Sequence, residues 1–144
     1  MKKNLLIALG LLFGSVTAQA QLTLRLVNNT NCAIQYMLIL DNFDGAPCAD
    51  GQSNFYVVAP GGQAVHTATS VSWNSGTPGS ASGFSGFKAY NFFGSCAQAN
   101  WVGESCNAGF STTSVVGACP GACNAFTLNW TNYPGAGYVV TINP

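Results

Sequence analysis

The chain has 144 residues, of which only 6% are charged, with four basic residues, four acidic residues and one histidine. An ordinary globular domain carries about 25% charged residues, so this surface must be built mainly from Ser, Thr, Asn, Gln and Gly. So few cations give no electrostatic source for binding nucleic acid or an anionic membrane. Aromatic and β-branched residues occur throughout the sequence, which excludes a disordered chain.

The first twenty residues have the order of a secretory signal peptide. Two lysines precede an apolar run, and small and polar residues follow it up to Ala20, a pattern typical of a cleaved leader. We expect cleavage before Gln21 in a bacterial host and one exported domain over residues 21–144, extracellular or at the cell surface. The apolar run is shorter than the roughly 20 residues that cross a bilayer, so no transmembrane segment is expected. Without the leader, two basic residues remain against four acids, a net charge of −2.

The rest of the chain reads as a series of short strands. Residues 21–27 alternate, with Leu22, Leu24 and Leu26 on one side, as in a half-buried strand. An Asn-rich turn at 28–31 leads into the apolar run 32–40, and we predict that the two strands form an opening hairpin. Residues 41–54 have the composition of a loop, and a short strand is predicted at 55–59.

Polarity alternates again in residues 63–73. We predict that His66 lies on the polar side and that the core side carries Val65, Thr67, Thr69, Val71 and Trp73. Residues 74–86 read as a loop, and five β-like runs follow at 87–93, 101–105, 110–116, 125–130 and 138–142. No segment has a helical period with helix start and stop signals. The sequence therefore predicts an all-β fold of eight or nine strands, an antiparallel β-sandwich of the Ig-like or jelly-roll-like kind, with a small barrel as the alternative.

The six cysteines form an even set in a chain expected to be exported, and an oxidising compartment favours disulfides. Cys119 and Cys123 flank a Pro-Gly pair, which favours a turn that brings the two sulfurs together. A metal clamp would need further ligands, and a redox centre usually has the Cys-x-x-Cys spacing, so both alternatives fit this pattern less well. We predict three local disulfides that staple the sandwich: Cys32–Cys48, Cys96–Cys106 and Cys119–Cys123.

Three of the four acids outside the leader lie close together, at Asp41, Asp44 and Asp50. With Asn42 and nearby carbonyl groups they could surround a calcium ion, which takes oxygen ligands. The spacing is not that of an EF-hand, and Asp and Asn also favour plain turns, so both interpretations stay open. His66 has no acid or nucleophile partner at a motif-like spacing, and G-x-S-x-G is absent. Glu104 with one of the aspartates could form a glycosidase pair, but three of the four carboxylates lie in one turn-like loop. We therefore expect no enzyme activity and no cofactor apart from this calcium.

Aromatic residues are the other resource for binding. Those that fall within predicted strands are expected in the core: Tyr36, Phe55, Trp73, Phe87, Phe126 and Trp130. Four others fall in loops or near strand ends and are candidate ligand or partner contacts: Phe43, Phe84, Trp101 and Tyr133. Such rings could stack on sugars, pack against another protein chain, or fold back onto their own domain.

Two functions fit these observations. The first is a secreted, non-enzymatic structural or interaction protein, a self-associating or adhesive subunit of a bacterial surface assembly such as a filament. Pairing between chains would use the alternating runs 21–27 and 137–143 if they lie at sheet edges. The alternative is a carbohydrate-binding module, calcium-dependent or not, in which Phe84, Trp101 and Tyr133 converge on one face. A membrane-active β-sandwich toxin is a third alternative.

Overall fold

Strands make up most of the chain that the computed structural model describes, residues 23–41, 51–75, 83–90, 99–104, 111–113, 125–134 and 136–144. In chain order they are β1 (Thr23–Asn28), β2 (Ile34–Asp41), β3 (Gly51–Ser53), β4 (Tyr56–Val58), β5 (Gln63–Thr67), β6 (Trp73–Ser75), β7 (Gly83–Tyr90), β8 (Ala99–Gly103), β9 (Ser111–Thr113), β10 (Thr127–Tyr133) and β11 (Gly137–Asn143). These residues contain no helix, which confirms the predicted all-β class. Accordingly, no described segment is a helix of the length and apolarity needed to cross a membrane.

The strands form two sheets that pack against each other, as in a β-sandwich. The five-stranded sheet has the order β5-β1-β11-β10-β9, and the six-stranded sheet has the order β6-β3-β2-β7-β8, with β4 also pairing with β2. All pairs of described strands are antiparallel except β1 and β11, which run parallel from Leu24 opposite Tyr138 to Asn28 opposite Ile142. On one side of the sandwich, β8 lies beside β9 and β10. The described residues thus contain eleven strands where eight or nine were predicted.

Alternation along each strand decides which side chains enter the core. Leu24 and Leu26 are fully buried on β1, while Arg25 between them is exposed. On the six-stranded sheet the core takes the alternate residues of β2, and the rings of the core come from both sheets: Tyr36, Phe84, Phe87, Phe126, Trp130 and Tyr138. Full burial of one such side chain contributes about 1.5–3 kcal/mol, so this layer holds the two sheets face to face.

The predicted opening hairpin is wrong, because β1 and β2 belong to different sheets. The Asn-rich turn after β1 carries the chain across the sandwich instead of reversing it within one sheet. The condition for pairing between chains through the terminal strands is not met. β1 lies between β5 and β11, and β11 lies between β1 and β10, so both edges of each terminal strand are hydrogen-bonded within the chain.

The inward side of β5 is opposite to the predicted one. Val65 is 64% exposed and His66 only 8%, because His66 pairs with Leu24, whose side chain faces the core. A hydrogen bond to Tyr36 makes this burial of an imidazole tolerable. The predicted loops at 41–54 and 74–86 contain β3, the end of β6 and the start of β7.

Asn28 fastens the chain where it crosses between the sheets. Its side chain is fully buried, and its Nδ2 donates to the carbonyl groups of Cys32 at 2.7 Å and Ala59 at 2.9 Å. Its Oδ1 accepts from the backbone N–H and the hydroxyl of Thr30 at 3.1 and 2.7 Å, and its own N–H donates to the Gly62 carbonyl. One side chain therefore joins the end of β1, the crossing segment and the turn between β4 and β5.

Gly137 allows β1 and β11 to approach at the start of their pairing. Its φ is 114°, and a Cβ atom at this position would lie 2.2 Å from the carbonyl oxygen of Thr23. A non-glycine residue would be strained by its backbone conformation and would also collide with β1.

Candidate functional site

The outer surface of the six-stranded sheet carries a row of aromatic residues around one cation. We define the aromatic face as Phe55, Val57, Lys88, Tyr90 and Trp101. Each of them alternates with an inward residue: Tyr56 and Val58 on β4, Phe87 and Ala89 on β7, and Val102 on β8 pack in or against the core. Strand periodicity therefore points the aromatic face away from the other sheet.

Phe55 and Val57 are the most exposed part of the aromatic face. Their side chains are 54% and 55% exposed, although large apolar side chains are usually withdrawn from water. The Phe55 ring meets the Tyr90 ring edge-on, with centroids 5.3 Å apart, and Tyr90 is half-buried. The contact orients both rings while leaving much of the phenyl ring in solvent.

Lys88 lies between two aromatic rings. It pairs across the strands with Trp101, and its Nζ lies 4.4 Å from the centroid of the Trp101 ring and 5.4 Å from that of Tyr90. Among the described residues these are the contacts of the ammonium group, so its charge is met by ring faces rather than by a carboxylate. Lys88 and Trp101, like Tyr90, are half-buried, so part of each side chain remains accessible.

Two buried apolar side chains of β2 lie on the same side of the sheet as the aromatic face. Met37 pairs with Lys88 across β2 and β7, is only 6% exposed, and its sulfur accepts a hydrogen bond from the Tyr90 hydroxyl at 3.5 Å. Ile39 lies on the same side of β2 and is also buried. Contact with the buried Met37 side chain therefore limits the rotamers available to the Tyr90 ring.

A polar cluster of different character lies between the sheets. The hydroxyl group of Tyr36 lies 2.7 Å from Nε2 of His66, and the Tyr56 ring contacts both side chains. Burial lowers the pKa of His66; burial, reinforced by Tyr56, raises the pKa of Tyr36 to about 12. Both groups are therefore neutral near pH 7, and the pair ties the two sheets together.

Glu104 closes one end of the sandwich. This exposed carboxylate follows β8 and accepts from Nδ2 of Asn132 on β10 at 2.6 Å. Burial, the Glu104 charge and a hydrogen bond to Glu104 raise the pKa of Tyr138. The role of Glu104 visible here is a link between sheets.

The predicted contact residues do not converge on one face, so the carbohydrate site expected from Phe84, Trp101 and Tyr133 is not formed. Phe84 is fully buried in the core, which corrects its assignment as a surface ring; the bulge between β2 and β7 puts it there beside Leu40. Trp101 belongs to the aromatic face, whereas Tyr133 is 52% exposed at the end of β10 in the other sheet. Phe43 lies outside the described residues.

The metal and cysteine predictions fall mostly outside the described residues. Asn42, Asp44 and Asp50 lie outside them, and Asp41 is placed only as the last residue of β2. Within the described residues no group of His, Cys, Asp and Glu could hold a metal ion. Cys32 is disulfide-bonded, and the other five cysteines lie outside the described part of the chain, so the three pairings stay predictions.

Most of the aromatic face was not predicted from the sequence. Phe55 was assigned to the core, and Val57, Lys88 and Tyr90 were not singled out. The sequence signal for this face is the alternation in residues 87–90. Phe87 and Ala89 are apolar, whereas Lys88 and Tyr90 each combine an apolar stem or ring with a polar end. No family model matches this chain, and no similar curated protein or solved structure was found.

Proposed function

We propose that the protein is an exported, non-enzymatic interaction protein of the bacterial cell surface or its surroundings, and that it attaches to its partner through the aromatic face. The observation that carries this proposal is the exposure of Phe55 and Val57 beside Tyr90, Lys88 and Trp101. Contiguous exposed apolar groups on a soluble domain mark interaction sites. Trp and Tyr are also the residues that most often dominate binding energy at interfaces.

The arrangement of the single histidine also favours a binding role. His66 is buried and hydrogen-bonded to Tyr36, so it is not placed to exchange a proton with a substrate at the surface. The exposed Glu104 is hydrogen-bonded to Asn132. Both groups have structural partners, and neither belongs to the aromatic face.

Adsorption to envelopes isolated from the producing cells tests this proposal. The double variant Phe55→Ser with Trp101→Ala should reduce adsorption at least tenfold, because truncating one central aromatic contact typically costs about 1–2 kcal/mol or more. Tyr133→Ser is the matched control, since it removes a comparably exposed aromatic side chain from the other sheet. Equal adsorption of the double variant and wild type, with both proteins folded, would reject the aromatic face as the attachment site.

Self-association is the second candidate function, and the edge strand β5 favours it. Among the described strands β5 pairs with β1 alone, Val65 on it is 64% exposed, and the segment Gln63–Thr67 has neither proline nor a charged side chain. Prolines and charged side chains usually protect an edge strand from pairing with another chain, and β5 has neither. If copies join through β5, Val65→Lys should abolish concentration-dependent oligomers in light scattering, whereas the aromatic double variant should not.

Further parts of the proposal concern the scaffold. For such an exported binding domain we propose cleavage before Gln21, three local disulfides and an Ig-like or jelly-roll-like topology. Peptide mapping without reduction would identify the pairings. A free thiol at Cys119 or Cys123 would contradict the disulfide proposed there.

A further inference from the structure

The aromatic face combines two chemistries on one small surface. Ring faces on adjacent strands offer a stacking surface for apolar groups, and Lys88 places one ammonium group among them. From this combination we propose that the aromatic face binds an acidic polysaccharide, a polymer of uronic acids. The C–H face of a sugar ring would lie on the Trp101 and Tyr90 rings, and its carboxylate would pair with Lys88. This inference rests on the proposed attachment role of the face.

The width of the face suits a polymer rather than a single sugar. Phe55 precedes β4, while Trp101 lies on β8, and β2 and β7 lie between these two strands. Four neighbouring strands are separated by three spacings, or roughly 14 Å. An extended chain of sugars laid across the strands would therefore meet the rings in succession, which adds the contacts of several units without a deep pocket.

The position of Lys88 favours a sugar that carries a carboxylate over a neutral one, through one local ion pair and not through the net charge, which is −2 outside the predicted leader. Lys88 and Arg25 are the only basic residues outside the predicted leader, and Arg25 lies on the other sheet, where it donates to Gln63 at 2.7 Å. The described residues supply no carboxylate contact to Lys88. The described acids are Asp41, four residues beyond Met37 on β2, and Glu104, three residues beyond Trp101 on β8. They lie about 13 Å and about 10 Å along the strands from these two partners of Lys88, and Glu104 is hydrogen-bonded to Asn132. A carboxylate brought by the ligand would complete the coordination of the ammonium group.

The test measures binding of polygalacturonate and alginate to the mature, oxidised protein, in chelator so that calcium cannot mediate it. Fully methyl-esterified polygalacturonate is the matched ligand, since it keeps the sugar backbone and loses the charge. We expect wild type to bind the acidic polymers and to bind the ester about tenfold more weakly. Lys88→Gln should weaken binding of the acidic polymers about tenfold and binding of the ester little.

Arg25→Gln is the matched control, because it removes the other cation from the opposite face, and it should leave all affinities unchanged. Trp101→Ala should weaken binding of both the acidic polymers and the ester. Near-ultraviolet circular dichroism confirms that each variant is folded. Equal binding of acid and ester, equal effects of Lys88→Gln and Arg25→Gln, or no binding of either acidic polymer would overturn the inference.

The same variants separate this inference from the proposed function. If wild type ignores both acidic polymers but the Phe55→Ser, Trp101→Ala variant still loses adsorption to envelopes, the ligand inference is wrong and the attachment role stands. A peptide partner or a second copy of the chain would then be the occupant. If the double variant adsorbs like wild type, the attachment role itself fails.

Discussion

Replacing the buried Asn28 by alanine should strongly destabilise the protein. The substitution removes four hydrogen bonds at a fully buried position: two donated to the Cys32 and Ala59 carbonyls and two accepted from Thr30. At about 1 kcal/mol net for each bond, the loss would be about 4 kcal/mol. The Ala59 carbonyl keeps a bond from the Gly62 N–H at 3.0 Å, and the Cys32 carbonyl keeps the Thr30 hydroxyl at 3.3 Å. We therefore expect a loss of about 3 kcal/mol.

Urea unfolding measures this loss directly, and an unchanged slope of free energy against urea would assign it to stability alone. The melting temperature should fall by about 12 °C, at about 4 °C per kcal/mol for a domain of this size. The control is Asn29→Ala, because Asn29 is exposed and, among the described side chains, bonds only that of Asn143. This variant should cost less than about 0.5 kcal/mol. A loss below about 1 kcal/mol for Asn28→Ala, or equal losses for the two variants, would refute the reasoning.

Asn28→Asp extends the same test to charge. A carboxylate keeps the acceptor toward Thr30 but faces the Cys32 and Ala59 carbonyls without a donor, so its folded-state pKa should lie above its unfolded value of about 3.9. Because the folded pKa is the higher one, stability is retained at low pH and lost as pH rises through the unfolded and folded values. The variant should therefore regain stability on acidification, which the alanine variant should not do.

Three further predictions concern the core and the strand pairing. Burial lowers the pKa of His66, so the stability contributed by its neutral form is complete above about pH 6.5 and is lost as pH falls toward the folded pKa. In urea unfolding repeated between about pH 5 and 8, His66→Phe should therefore remove this decrease in the free energy of unfolding. The same pH dependence in the variant and in wild type would contradict the prediction. Tyr36→Phe leaves Nε2 of His66 without its partner and should cost about 1–2 kcal/mol, with calorimetry as the measurement. Gly137→Ala should cost about 3 kcal/mol, from backbone strain and from collision with Thr23. Gly61→Ala should cost about 1 kcal/mol, because φ is also positive there but no atom lies within 4 Å of the added Cβ. Equal losses of stability in thermal unfolding would exclude the collision.

The fold class could be predicted because it depends on local patterns. Alternation in residues 21–27 reflects which side chains of β1 are buried, and glycine and proline turns limit strand length. Sheet membership could not be predicted in this way, because a hairpin and a crossing connection leave the same local pattern. The parallel pairing of β1 with β11 joins residues near opposite ends of the sequence, and no short segment carries that information.

The candidate site shows the same division. Trp101 was identified because it lies near a strand end, and it belongs to the aromatic face. Phe55 was misplaced because a phenylalanine within a strand is usually buried, whereas this residue lies just before β4 on its outward side. His66 was misplaced because its burial depends on Tyr36, which lies on a strand of the other sheet. Polarity alone assigns a side to each residue and cannot reveal a partner across the core.

The position of β11 between β1 and β10 has a consequence for how the molecule matures. β1 is the first of the described strands to be synthesised, and its parallel partner β11 is the last. The middle of the five-stranded sheet therefore cannot be completed until β11 has been made. Such distant contacts make folding slow, because the loop entropy is lost before the pairing is gained. Until β11 has been synthesised, β1 and β10 each keep one unpaired edge, and such edges expose the incomplete sheet to aggregation.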